Sequence, residues 1–175
     1  MKKKILALVL ALTLLVAGVV GGTLAWLTDQ TDEVKNTFTV GDINIGLTET
    51  TADYKMVPGN TIAKDPTVTV KANSEACWLF VKVTESTDLK DFITYAIAEG
   101  WTALPGVDGV YYREVPASAA DQTFSVLAGD AVTVRSDVTR TMLETAKTDA
   151  PTLTFKAYAI QKDHFATADA AWAEV

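Results

Sequence analysis

Apolar positions fall into two regimes along this chain. From Ile5 to Val20 no charged side chain interrupts them, whereas beyond Asp29 they occur in short alternating groups separated by Gly, Pro, Asn and Asp. Alternation over four to eight residues is the mark of a half-buried strand. Phe38 and Val40 share one parity and Ile43, Ile45 and Leu47 the other, so Gly41-Asp42 between them reads as a bulge or bend. The stretch Thr50 to Pro66 reads as a loop around a Pro58-Gly59-Asn60 turn, because proline presets φ and glycine accepts φ > 0.

Strands follow at 67–72 and 76–84. In Ala76-Cys77-Trp78-Leu79-Phe80-Val81-Lys82-Val83 both parities are largely apolar, which predicts a central strand covered on both faces. Residues 88–92 form a capped helical turn leading into a strand over 93–97; Leu89, Phe92, Ile93, Ala96 and Ile97 also fit one helix over 88–98, and periodicity leaves both open. Segments 101–104 and 110–115 flank the Gly-rich connection 105–109 as a hairpin. Further strands are expected at 123–127, 131–136 and 152–160. Helices are expected at 139–147, before Pro151, and at 167–173, with Thr167 as N-cap. About nine short strands with turn signals between them predict a mainly β fold: an antiparallel β-sandwich, jelly-roll-like, with short helices, preceded by an N-terminal signal helix.

The first regime has the three parts of an export signal: Lys2-Lys3-Lys4, the apolar run, then Gly21-Gly22-Thr23-Leu24-Ala25 before polar sequence. The lysines stay on the cytoplasmic side because carrying their charge through hydrocarbon is costly. Thr23 and Ala25 supply the small side chains a signal peptidase needs, so cleavage is expected before Trp26. This divides the chain into a signal peptide 1–25, an extended arm 26–36 and a sandwich domain 37–175. The alternative is a retained anchor, since Ile5 to Leu27 is uncharged and could span roughly 30 Å of hydrocarbon.

The amino terminus also resembles a known family. Gly-Gly-Thr-Leu-Ala-Trp-Leu-Thr-Asp, followed by Val34-Lys35-Asn36-Thr37-Phe38-Thr39-Val40-Gly41-Asp42-Ile43, is similar to the start of exported proteins of the TasA/camelysin type. The Pro58-Gly59 turn before Thr67–Lys71, and Ala157-Tyr158-Ala159-Ile160-Gln161, resemble later parts of that family. The resemblance implies cleavage by a SipW-type signal peptidase of Gram-positive bacteria, a secreted β-sandwich, and the biofilm-matrix or surface-fibre roles of some members. It also carries the label of metallopeptidase, for which the residues offer little. Zinc catalysis commonly takes three protein ligands with two histidines one helical turn apart, and this chain has one histidine, His164, and no His-Glu-x-x-His.

Removing the three leader lysines leaves 12 basic against 22 acidic side chains, a formal charge of −10. Such a surface repels phosphate backbones and anionic headgroups, so nucleic acid is not an expected partner and the membrane is met only through the signal segment. A lone cysteine closes no internal bridge in an oxidising compartment. Cys77, on the doubly apolar strand, is expected to be buried as a small hydrophobe, with an intermolecular disulfide as the lesser reading. No phosphate loop, serine-hydrolase elbow, dinucleotide fingerprint or calcium loop occurs, so no enzyme activity, cofactor or metal is expected.

Two binding hypotheses remain. The arm, with Leu27, Val34, Phe38 and Val40, could pair with a strand edge of a neighbouring copy and build a fibre or matrix through self-association or wall contacts. Alternatively Trp101, Tyr111 and Tyr112, on the two arms of the predicted hairpin, could stack on sugar rings as a carbohydrate-binding platform. Their plain alternative is cross-strand packing.

Overall fold

The chain separates into two units, Met1–Thr39 and Val40–Val175. The computed structural model describes residues 42–50 and 55–175, all within the second unit. The proposed cleavage residues Thr23, Ala25 and Trp26, and the arm positions Leu27, Val34, Phe38 and Val40, lie outside the described residues.

The described chain is mainly β, as its alternating pattern predicts. Ten strands run β1 (Ile45–Thr48), β2 (Thr61–Ala63), β3 (Thr67–Val70), β4 (Cys77–Glu85), β5 (Ile93–Thr94), β6 (Thr102–Ala103), β7 (Val110–Val115), β8 (Gln122–Ser125), β9 (Ala131–Val134) and β10 (Leu153–Gln161). Short helices α1 (Leu89–Phe92), α2 (Arg140–Ala146) and α3 (Ala168–Trp172) lie among them. The strands form three sheets, β1-β3-β8, β10-β4-β7-β6 and β2-β9-β5, and every pairing is antiparallel.

The run 77–85 is the centre of the four-stranded sheet, between β10 and β7. Its two apolar parities serve two different cores. Cys77, Leu79, Val81 and Val83 face Val68, Val70, Val115 and Val126, the interior shared with the β1-β3-β8 sheet. Trp78 and Phe80 face the opposite side and are covered by Ala168 and Ala171 of α3. A third cluster, Leu89, Phe92, Leu127, Val132 and Val134, packs beneath the small third sheet. Cys77 is fully buried and free, as its surroundings in the sequence imply, and burial pushes its thiol pKa up to about 11.

Several expectations are corrected in detail. The stretch 50–66 is not all loop: after a turn in which Asn60 N–H donates to Val57 O at 3.0 Å and Gly59 sits at φ 81°, Thr61–Ala63 pairs with β9. Three residues beside a turn are too few to show a period, and their partner lies some seventy positions away. The 88–98 segment resolves as a helical turn and then strand, ending the single-helix alternative. Asp88 does not cap α1 through its side chain; its carboxylate accepts from Ser86 Oγ at 3.0 Å instead. The strands on either side of Gly129, β8 and β9, part into different sheets, with Gly129 at φ 65° and Asp130 at φ 49° turning the chain between them. The predicted Thr167 cap forms, its Oγ1 accepting from Ala170 N at 3.3 Å, and Thr139 caps α2 in the same way, accepting from Met142 N at 3.3 Å.

Candidate functional site: a free strand edge and an end groove

Strand β10 forms an edge of the four-stranded sheet. Beyond the two ends of its pairing with β4, Ser86 N–H donates to Thr152 O and Lys162 N–H to Ala76 O, both at 2.9 Å. These bonds set the phase of the ladder, because in antiparallel pairs alternate residues bond the partner. Even-numbered β10 residues bond β4. Leu153, Phe155, Ala157, Ala159 and Gln161 therefore turn their N–H and C=O groups to the outer side. Among the described residues no strand pairs there. A nine-residue edge with one lysine, Lys156, has little of the charge that usually blunts such edges.

Across the sandwich, β1 is the edge of the facing sheet. Lys71 N–H donates to Asn44 O at 2.8 Å, so Gly46 and Thr48 bond β3 while Ile45 and Leu47 point their backbone groups outward. Cα atoms of β1 and β10 come within 8 Å of each other with no ladder between them. Since paired strands lie about 4.8 Å apart, a strand inserted between two others holds them roughly 10 Å apart. A strand added to β10 on this side thus widens the seam.

The aromatic residues expected to make a single platform do not share a face. Trp101 is buried in the central core at 9% exposure, and its indole N–H donates to Ser125 O at 2.9 Å. Tyr111 faces the same core, whereas Tyr112, one residue on, packs under α3 with its ring 5.9 Å from Trp78. Successive strand residues point to opposite faces, so Tyr111 and Tyr112 could not both join one platform. Cross-strand and core packing accounts for Trp101 and Tyr112.

A groove that sequence reasoning missed lies at one end of the sandwich. Glu85 continues the core-facing parity of Val81 and Val83 past the last β4-β7 rung, and Tyr111 stands in register with Val81. Tyr95, from the segment after α1, donates its hydroxyl hydrogen to the Glu85 carboxylate. On one side of these residues a cavity of about 490 Å³ is also lined by Lys90, Thr94 and Arg135. On the other, one of about 380 Å³ is lined by Lys82, Asp108 and Gly109. Burial and the bond to Glu85 push the Tyr95 phenol upward. Arg135 is held by Asp137 through two bonds of 3.0 and 2.6 Å. Nothing in the sequence pattern links residues 85, 95, 108, 111 and 135, which is why only the fold reveals them.

Among the described residues no three His, Cys, Asp or Glu side chains gather as a metal donor set. Cys77 is inside the core and His164 is exposed in a 3-10 turn. No described helix is long and apolar enough to cross a membrane.

Fold and edge define the class first: an antiparallel β-sandwich domain with a long strand edge that no other described strand covers. Residues 1–89 match the family described as Camelysin metallo-endopeptidase, half of the chain, and the protein belongs to that family, which includes TasA-type proteins. No curated protein and no solved structure matches it. The described residues do not gather a donor set for the metal that the family's description implies.

Proposed function

We propose that this protein is an exported, non-enzymatic subunit of a cell-surface or biofilm-matrix assembly. Its leader is removed between Ala25 and Trp26 by a signal peptidase of the SipW type, and the freed segment 26–40 of one copy adds as a strand to β10 of the next. The observation that carries this reading is that no strand among the described residues pairs with the outer edge of β10 over its nine residues. Strand addition takes its affinity from main-chain hydrogen bonds and so needs no special side-chain motif on the edge. The family membership supports an extracellular or surface location, and the acidic mature surface keeps subunits soluble until they pair.

The test begins with intact mass and amino-terminal sequencing of the protein from culture medium and wall fraction. The expected chain begins at Trp26, and the purified form sediments as polymers visible by electron microscopy. A full-length chain confined to membranes favours the anchored reading and removes the free arm. A form lacking residues 26–36 that assembles as readily as the mature protein refutes the arm mechanism.

A further inference from the structure

The end groove has a lining that suits one kind of ligand. Tyr95 and Tyr111 bring half-buried rings to its middle, where the Glu85 carboxylate accepts from the Tyr95 hydroxyl. Asp108 stands in one lobe, and Lys90 and Arg135 in the other. The ladder phase adds main-chain groups: Val83 N–H donates to Gly109 O at 2.7 Å, the last rung on that side, so Glu85 turns its own N–H and C=O toward the same side beyond it. Both lobes fall within the roughly 300–1,000 Å³ of small-molecule sites.

Acceptors, donors and ring faces thus alternate over a short distance, with both signs of charge present. An apolar ligand would leave these groups dehydrated and unpaired, which costs about 1–3 kcal/mol for each. A strongly charged ligand would meet a like charge in one lobe or the other. Hydroxyl groups both donate and accept, and the apolar faces of sugar rings lie against aromatic rings. We propose that this groove is a binding site for a neutral glycan chain, with Glu85 and Asp108 accepting from sugar hydroxyls and Tyr111 as the contact surface. The site does not depend on strand addition at β10. The same chemistry fits a matrix glucan or the glycan backbone of a cell wall.

The experiment titrates the full-length protein with cellohexaose and, separately, with chitohexaose, read by calorimetry and by shifts of the tyrosine ring signals. Binding of either is expected, and which one binds distinguishes a glucan from a wall-type source. The variants Glu85→Gln and Asp108→Asn, both at exposed positions, are expected to weaken binding by about fivefold or more, the scale of one ordinary hydrogen bond, with unchanged thermal unfolding. The proposal is overturned if neither sugar shifts the tyrosine signals, if both variants bind within fivefold of the parent, or if hyaluronate, an anionic glycan, binds more tightly than both neutral probes.

Discussion

Trp172 stands edge-on to Tyr158, with ring centroids 5.3 Å apart and planes at 89°. The same indole lies 5.2 Å from Phe80, so one residue of α3 joins the centre of β4 to its neighbour β10. The rest of the carboxyl-terminal segment reinforces this contact: Trp78 Nε1 donates to Phe165 O at 3.0 Å, and Lys162 pairs with Glu114. Helix α3 has only five residues and forms because Thr167 caps it and the sheet supplies an apolar surface.

Trp172→Ala should therefore destabilise the domain by about 2–3 kcal/mol, somewhat under the roughly 3–5 of a fully buried ring because Trp172 is only partly covered. Urea unfolding measures this. An unchanged midpoint would mean that α3 contributes nothing to the sheet it covers.

Gly109 holds φ 71° at the end of the β6-β7 hairpin, and a Cβ there would run into the Val83 carbonyl oxygen. Both the left-handed backbone and the close approach require glycine. Gly109→Ala is expected to cost about 2 kcal/mol or more. Gly106→Ala, where nothing lies within 4 Å of the added carbon, should cost less, its φ of 73° being the only strain. Parallel thermal melts would separate the two effects.

Cys77 should not react with a maleimide at pH 8 while the domain is folded, and should react fully in denaturant. Its pH linkage follows from the same burial. An unfolded thiol ionises near 9.0, the folded one near about 11, so the contribution to stability is complete below pH 9 and is lost as the pH rises through 11. Cys77→Val should lack that alkaline decline, as measured by unfolding free energies from pH 8 to 11.

Proline scanning tests the free edge directly. Ala159 turns its N–H outward, so Ala159→Pro removes a donor that β4 does not use. Ile160→Pro breaks a ladder bond to Trp78. The first should leave a folded domain that no longer assembles, and the second should unfold it, as read by circular dichroism and sedimentation. Normal polymer growth by a folded Ala159→Pro protein would rule out β10 as the edge that receives the arm.

Much of this architecture was legible along the chain. The strand at 77–85 announced its central place through two apolar parities, the helix at 140–146 through its helical spacing before Pro151, and the helix at 168–172 through the Thr167 cap. The Pro58-Gly59 turn was legible from residue types alone. Short pieces were less so: β2 has three residues and was read as loop, and β5, two residues within the strand expected at 93–97, could equally be read as helix until β9 offered each a partner distant in sequence. The candidate site divides the same way. A strand edge could be anticipated for any sandwich, but not that β10 would stand at one with no described strand beside it, nor that Trp101 would turn inward while Tyr95 and Glu85 met at an open end.

What the sequence by itself determined is local: where alternation makes strands, where φ > 0 demands glycine, where a threonine starts a helix, and that the single cysteine sits among apolar neighbours. These depend on dihedral preferences and on periods of a few residues, which any short window contains. Tertiary structure alone decided which strands became neighbours, which edge stayed open and which side chains lined the groove. Those outcomes depend on contacts between distant residues, such as Thr61 with Thr133 and Val83 with Gly109, and such contacts are selected by burying the whole apolar surface at once rather than by any segment's own preference.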